Sequence, residues 1–351
     1  MNLDEYRNFT SVDPGKMLAQ IDGLPEQLQE AWKLGFRLEL PQMGEIHSVI
    51  IAGMGGSAIG ADLLAATVSP LCPVPVIVHR NYELPAWAKG RETLAILSSH
   101  SGDTEETLSV FDAAVRAHCQ IVTISTGGKL LERAQKYGLP AWTFNHEGQP
   151  RAAVGFSYGL MLALITRLGL IADMDKDVGA AVNAMKEQRN GVNAEIPLRK
   201  NPAKRLAGQL VGRYPIFFSA GHMAPVARRW KTQVNEVAKT IAAFEVLPEA
   251  NHNTLAGIGY PQEILTKAIA FFIRSESDFP RNKLRFELTQ RTMMEEGIVT
   301  DSYLAAGKSR MEQIWQAVQF GDYAAYYLAM ANETDPSEIP TILELKAAMS
   351  E

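Results

Sequence analysis

Along the first half of the chain the hydrophobic pattern keeps changing period. Residues 1–45 open with helix-like spacing, clearest in "PEQLQEAWKLGFRLEL", where apolar side chains recur at three- and four-residue intervals. Short apolar runs follow: "IHSVIIAG", "PVPVIVH", "TLAILSS", "QIVTIST" and "AWTFNH", each ending in small or polar residues. Helical segments such as "SAIGADLLAATV" and "TEETLSVFDAAVRAH" separate most of them. Strand–helix alternation of this kind predicts a mostly parallel sheet covered on both faces. Ligands of such sheets bind outside the carboxyl ends of the strands.

The rhythm then repeats. After a charged helical stretch from "DMDKDVGAAV" to "KRLAGQL", the strand-like runs "YPIFFSAG", "AAFEVL", "ILTKAIAFFIR" and "GIVTDSYLAAG" alternate with "APVARRWKTQVNEVAKT" and "RNKLRFELTQRTMMEEG". Set beside one another, "VIIAGMGGSAIGADLL" and "PIFFSAGHMAPVARRW" share the order apolar strand, glycine, helix start. Two copies of one α/β unit fit the 351 residues. The expected organisation is a helical segment over 1–45, a first α/β domain over 46–172, a helical linker over 173–202, a second α/β domain over 203–334 and a tail helix over 335–351.

Composition narrows the class. The chain is 46% hydrophobic and 21% charged, with a formal net charge of -5, which speaks against nucleic acid or an anionic membrane as partner. Its two cysteines, Cys72 and Cys119, make neither a disulfide framework nor a metal knuckle, and the seven histidines are scattered, so no metal site is expected. The longest apolar run, Ala152–Ala172, contains Arg167 and reads as a buried core helix rather than a membrane span. The polar, acidic opening "MNLDEYRNFT" does not read as a secretory signal, and the expected location is cytoplasmic.

Chemistry concentrates at two strand ends. In Gly53-Met54-Gly55-Gly56-Ser57 the glycines let main-chain N–H groups approach a ligand at a helix start, which suits an anion. A tight turn made for packing would use the same residues, and neither the dinucleotide fingerprint nor the P-loop ending is present. In "SSHSGDTEET" the hydroxyls of Ser99, Ser101 and Thr104 surround one glycine just before a helix. Three hydroxyls in six residues exceed what a helix cap needs and suit a phosphate dianion, although Asp103 or Thr104 can cap as well. Later in the chain Glu236 in "QVNEVAKT", His252 in "NHN" and Arg151 in "QPRAAVGFS" are the types an aldose–ketose interconversion uses. A solvated glutamate, a structural histidine and a surface arginine remain the plain alternatives.

Taken in order, these motifs and a lysine in "TILELKAAM" resemble the bifunctional phosphoglucose/phosphomannose isomerases, a family built from two sugar-isomerase (SIS) domains. The resemblance covers nearly the whole chain. It implies two αβα sandwiches and a cofactor-free isomerase that interconverts glucose 6-phosphate and mannose 6-phosphate with fructose 6-phosphate through a cis-enediolate. Carried over by residue, it implies that Ser57, Ser99, Ser101 and Thr104 bind the sugar phosphate with the amides of Gly55 and Gly56. Glu236 corresponds to the base, Arg151 to the enediolate stabiliser, His252 to a ring-opening residue supplied by the neighbouring subunit, and Lys346 to a lysine near the substrate. A homodimer with shared sites, working in carbohydrate metabolism, follows from the same likeness. A non-catalytic SIS module that senses sugar phosphates is the competing reading. Two departures stand out: His100 and Asp103 replace the commoner Tyr and Asn of the serine run. Asp103 brings negative charge toward the expected phosphate unless its side chain turns away to cap a helix.

Overall fold

The computed structural model describes residues 1–349. The first two helices, α1 (Met17–Asp22) and α2 (Leu24–Arg37), precede β1 (Ser48–Ala52) and α3 (Gly55–Val68). Next come β2 (Val76–His79), β3 (Thr93–Ser98), α4 (Glu105–Arg116), β4 (Gln120–Ser125), α5 (Gly128–Lys136) and β5 (Ala141–Thr143). Three helices follow: α6 (Val154–Arg167), α7 (Asp175–Val192) and α8 (Pro202–Leu210). The second series is β6 (Tyr214–Ala220), α9 (Ala224–Glu236), β7 (Ala243–Leu247), α10 (Gln262–Leu265), β8 (Ala268–Ser275), α11 (Pro280–Glu295) and β9 (Val299–Ala305). Helices α12 (Arg310–Ala331) and α13 (Pro340–Ala348) close the described chain.

Two compact units result. One holds residues 23–184 with 308–312, the other residues 1–22, 185–307 and 313–351. The leading residues are therefore divided, with α2 in the first-sheet unit and α1 in the second-sheet unit. Both sheets are wholly parallel, ordered β2-β1-β3-β4-β5 and β7-β6-β8-β9.

Burial explains why these runs became central parallel strands. All six residues of β3 are buried, as are four of five in β1, which an alternating in–out strand could not achieve. Ile50, Ala95 and Leu97 pack with Val110, Phe111 and Ala114 of α4. Burying a side chain such as Phe111 contributes about 1.5–3 kcal/mol. In the second unit Phe218 and Phe272 stack at 5.1 Å and pack with Phe286 and Met293 of α11.

The long apolar run is a core helix, as its arginine indicated. Every residue of α6 from Val154 to Leu164 is buried, and Arg167 donates to the carbonyls of Gly35 and Leu38, where α2 ends. A cation at that terminus satisfies carbonyls that have no partner within the helix. Among the described residues no helix is long and apolar enough to cross a membrane.

Candidate active site

The first sheet reverses its winding at one point. From β1 the chain crosses through α3 to β2 on one side, and from β3 through α4 to β4 on the other. β1 and β3 are hydrogen-bonded neighbours, so their carboxyl ends share the switch-point crevice where open α/β sheets bind ligands. The glycine loop leaves β1 here and the serine loop leaves β3.

Gly55 opens α3 at φ +51°, a left-handed conformation that costs glycine little. Gly56 is hugged from behind: a Cβ there would collide with the carbonyl of Pro150 and lie 3.3 Å from the α-carbon of Arg151. The glycine is thus explained by close backbone approach between the loop and the short 3-10 turn Pro150–Ala152. Ser57 is buried in the first turn of α3.

In the serine loop the Ser99 and Thr104 hydroxyls meet at 2.8 Å, and Ser99 Oγ also accepts from the Gly102 amide at 3.1 Å. Ser101 is exposed, and its Oγ accepts from the Asp103 amide at 3.2 Å. Thr104 occupies the cap position of α4, but its hydroxyl turns to Ser99 instead of the first-turn amides. The expected cap box is therefore not what these hydroxyls build. Asp103 does turn away to cap, yet it serves the following helix: its Oδ1 accepts from the Lys129 amide at 3.1 Å, in the first turn of α5. That bond engages its charge at a helix N-terminus, where an acidic group is stabilised.

Arg151 belongs to the same unit, buried at 5% exposure in the 3-10 turn that abuts Gly56. The first-sheet unit thus unites Gly55, Gly56, Ser57, Ser99, Ser101, Thr104 and Arg151. Glu236, His252 and Lys346 lie in the second-sheet unit. Glu236 is the half-buried last residue of α9, His252 is exposed in the 3-10 turn Glu249–His252 after β7, and Lys346 is exposed on α13.

One pairing escapes the linear sequence altogether. His100 Nε2 and His146 Nδ1 are 3.0 Å apart, joining the serine loop to the segment that leads into Arg151. Burial and the neighbouring His146 push the His100 imidazole down to about 4, and burial lowers His146 as well. The histidines looked scattered because these two stand 46 positions apart; only an aromatic neighbourhood, Phe144 and Phe156, hints at the pairing. Among the described residues no group of three or more His, Cys, Asp or Glu forms a metal-like cluster.

Both units are α/β with wholly parallel sheets, and in each a left-handed glycine opens the turn after a strand at the switch point. A family model described as the bacterial phospho-glucose isomerase C-terminal SIS domain matches residues 199–349. A crystal structure of a hypothetical protein from Thermus thermophilus superposes with a TM-score of 0.73 at 19% identity, covering 99% of this chain and 94% of its own. Glucosamine-6-phosphate deaminase from Thermotoga maritima shares the fold at a TM-score of 0.67 and 14% identity, over 93% and 97% of the two chains. At sequence level the bifunctional phosphoglucose/phosphomannose isomerase of Caldicellulosiruptor bescii is 37% identical over 95% of this chain and 99% of its own length. The chain belongs to the bifunctional phosphoglucose/phosphomannose isomerase family.

Proposed function

We propose that this protein interconverts glucose 6-phosphate and mannose 6-phosphate with fructose 6-phosphate. The observation that carries the reading is the switch-point crevice, where the hydroxyl-rich loop and the amino ends of two helices follow neighbouring strand ends. Such a site suits a phosphate dianion, and the phosphate serves as an anchor remote from the reacting carbons. The hydroxyls of Ser57, Ser99, Ser101 and Thr104 and the amides of Gly55 and Gly56 hold it.

Glu236 moves one proton between C1 and C2, taking it from one carbon and returning it to the other, so the redox change stays within the sugar. Arg151 stabilises the enediolate oxygen electrostatically. His252 exchanges the proton that opens the ring, and Lys346 approaches the substrate from the tail helix. The topology of the second sheet supports a site shared between two copies. Glu236 ends the helix that runs back toward the start of β7, whereas His252 follows the end of β7. β7 alone spans roughly 16 Å at about 3.3 Å per residue. That separation accords with the family likeness, which implies that His252 reaches the site from a second copy, with a homodimer as the minimal such assembly. A cytoplasmic place in carbohydrate metabolism accords with these substrates.

The test is a coupled assay for fructose 6-phosphate, run from each hexose phosphate with a chelator present. Turnover from both is expected. Turnover from glucose 6-phosphate alone narrows the specificity, and silence from both in folded protein that binds the sugar phosphates makes it a sensor instead.

A further inference from the structure

Ser99, Ser101 and Thr104 stand on an arch whose two feet are secured. At one foot the Ser99 amide donates to the Ile124 carbonyl at 3.0 Å, continuing the pairing of β3 with β4. At the other, Thr104 leads into α4. Between the feet, carbonyls and amides of the arch take different partners. The amides of Gly102 and Asp103 donate to its own hydroxyls, Ser99 Oγ at 3.1 Å and Ser101 Oγ at 3.2 Å. The carbonyls go to the loop between β4 and α5. That of His100 accepts from both the amide and the hydroxyl of Thr126, at 2.9 and 2.7 Å, and that of Gly102 accepts from the Leu130 amide at 2.9 Å. The two backbones also touch. A Cβ at Gly102, where φ is +78°, would collide with the Gly127 carbonyl, and one at Gly128, where φ is +70°, with the Ser101 carbonyl.

We propose, on the isomerase reading above, that Thr126 is a positioning residue of the phosphate site: by holding the His100 carbonyl it turns that oxygen away from the substrate and presents the Ser101 amide to it. The C=O of His100 and the N–H of Ser101 belong to one planar trans peptide unit and point in opposite directions. Fixing the carbonyl on Thr126 therefore fixes the amide on the other side. That amide has no hydrogen-bond partner among the described residues, and Ser101 is exposed. A peptide group attracts an anion with its N–H and repels it with its C=O, so a cradle built from loop backbone must settle which end faces the ligand before the ligand arrives. Thr126 settles it with two donors on one oxygen, and the contact of Gly128 with Ser101 limits how far that peptide can rotate back.

The experiment uses three variants beside the wild-type protein. Thr126→Val keeps the shape and the main-chain bond but loses the hydroxyl, Thr126→Ser keeps the hydroxyl, and Gly128→Ala crowds the Ser101 carbonyl. Two constants are read in each, KM for glucose 6-phosphate and the inhibition constant of inorganic phosphate. Thr126→Val should raise both together, roughly three- to tenfold, with kcat within twofold. Gly128→Ala should move both in the same direction, and Thr126→Ser should stay near the wild-type values. A merely structural role would lower the active fraction, and so the apparent kcat, without moving either constant. Should Gly128→Ala fail to fold, the two Thr126 variants decide. Unchanged constants in Thr126→Val, a loss confined to kcat, or a serine variant as weak as the valine one overturns the proposal. Silence of the wild-type protein with both hexose phosphates overturns the isomerase reading instead; calorimetric dissociation constants for glucose 6-phosphate in the same variants then test Thr126 by themselves.

Discussion

The two sheets carry the same switch point and treat it in opposite ways. In the first, the turn after β1 opens at Gly55 with φ +51°; in the second, the turn after β6 opens at Gly221 with φ +54°. Beyond that glycine the residues diverge. Gly56 packs against the Pro150 carbonyl and Ser57 is buried in the first turn of α3, whereas the second turn carries the larger buried side chains of His222 and Met223. His222 Nε2 bonds Gln313 Oε1 at 3.0 Å, Ser275 Oγ donates to the same oxygen at 2.6 Å, and Gln313 Nε2 donates to Ser277 Oγ and the Gly307 carbonyl. Ser275 is the last residue of β8, as Ser98 is of β3, and its hydroxyl joins the interior network. One backbone plan thus yields a hydroxyl-rich loop bonded within itself at the first sheet, and a network of longer-range side-chain bonds through Gln313 at the second. What distinguishes the two crevices is the side chains that close them, since both strand ends supply the same dipoles.

The comparison can be broken in several places. The largest effect is expected at Glu236, the proposed proton carrier in the second-sheet unit: Glu236→Gln should lower kcat about 10²–10⁴-fold while sugar phosphate still binds, as single-turnover and binding measurements would show. Substantial turnover in that variant would remove the glutamate from its role. Next come the hydroxyls. Ser99→Ala should raise KM by roughly tenfold or more, because a hydrogen bond to a charged group contributes about 1.5–3 kcal/mol. Its counterpart in the second network, Gln313→Ala, should lower the melting temperature through the loss of about 1–3 kcal/mol and leave KM unchanged, because it strands buried partners rather than a ligand. A KM change there would mean that the second crevice also meets substrate.

Gly55→Ala and Gly221→Ala sharpen the same contrast at smaller scale. Each forces a side chain into the left-handed region and should cost about 1–2 kcal/mol in chemical denaturation, yet only Gly55→Ala should also weaken sugar-phosphate binding. A further contrast is a pH dependence that arises at His100 in the first unit. The unfolded His100 imidazole titrates near 6.5 and the folded one near 4, so the unfolded chain binds more protons between those values. Stability should therefore be full above about 6.5 and fall as pH drops toward about 4, and the drop should shrink in His100→Gln. An unchanged slope in that variant would dismiss the histidine as its source.

Much of the fold was legible in the sequence. The runs that became β1, β3, β6 and β8 were continuous apolar stretches bounded by small residues, which is how strands buried on both faces must be composed. Arg167 marked α6 as a core helix because its charge needs a partner, and the end of α2 provides one. The serine loop stood out in the sequence by the number of its hydroxyls. Its internal bonding was not legible: Thr104 looked like a cap, and only the geometry shows it turned to Ser99. Asp103 was foreseen to cap a helix, but α5 rather than α4 receives it, since the two helix starts become adjacent only when β3 and β4 pair.

The sequence alone determined what local chemistry can dictate: strand and helix periods, the glycine turns, the hydroxyl-rich loop and the likeness of the two halves. Tertiary structure decided which distant groups meet. The His100–His146 pair, the Pro150 carbonyl behind Gly56 and the His222–Gln313 bond each join residues far apart in the chain. No local period encodes such meetings, because they depend on how sheets and helices pack and on the need of every buried polar group for a partner.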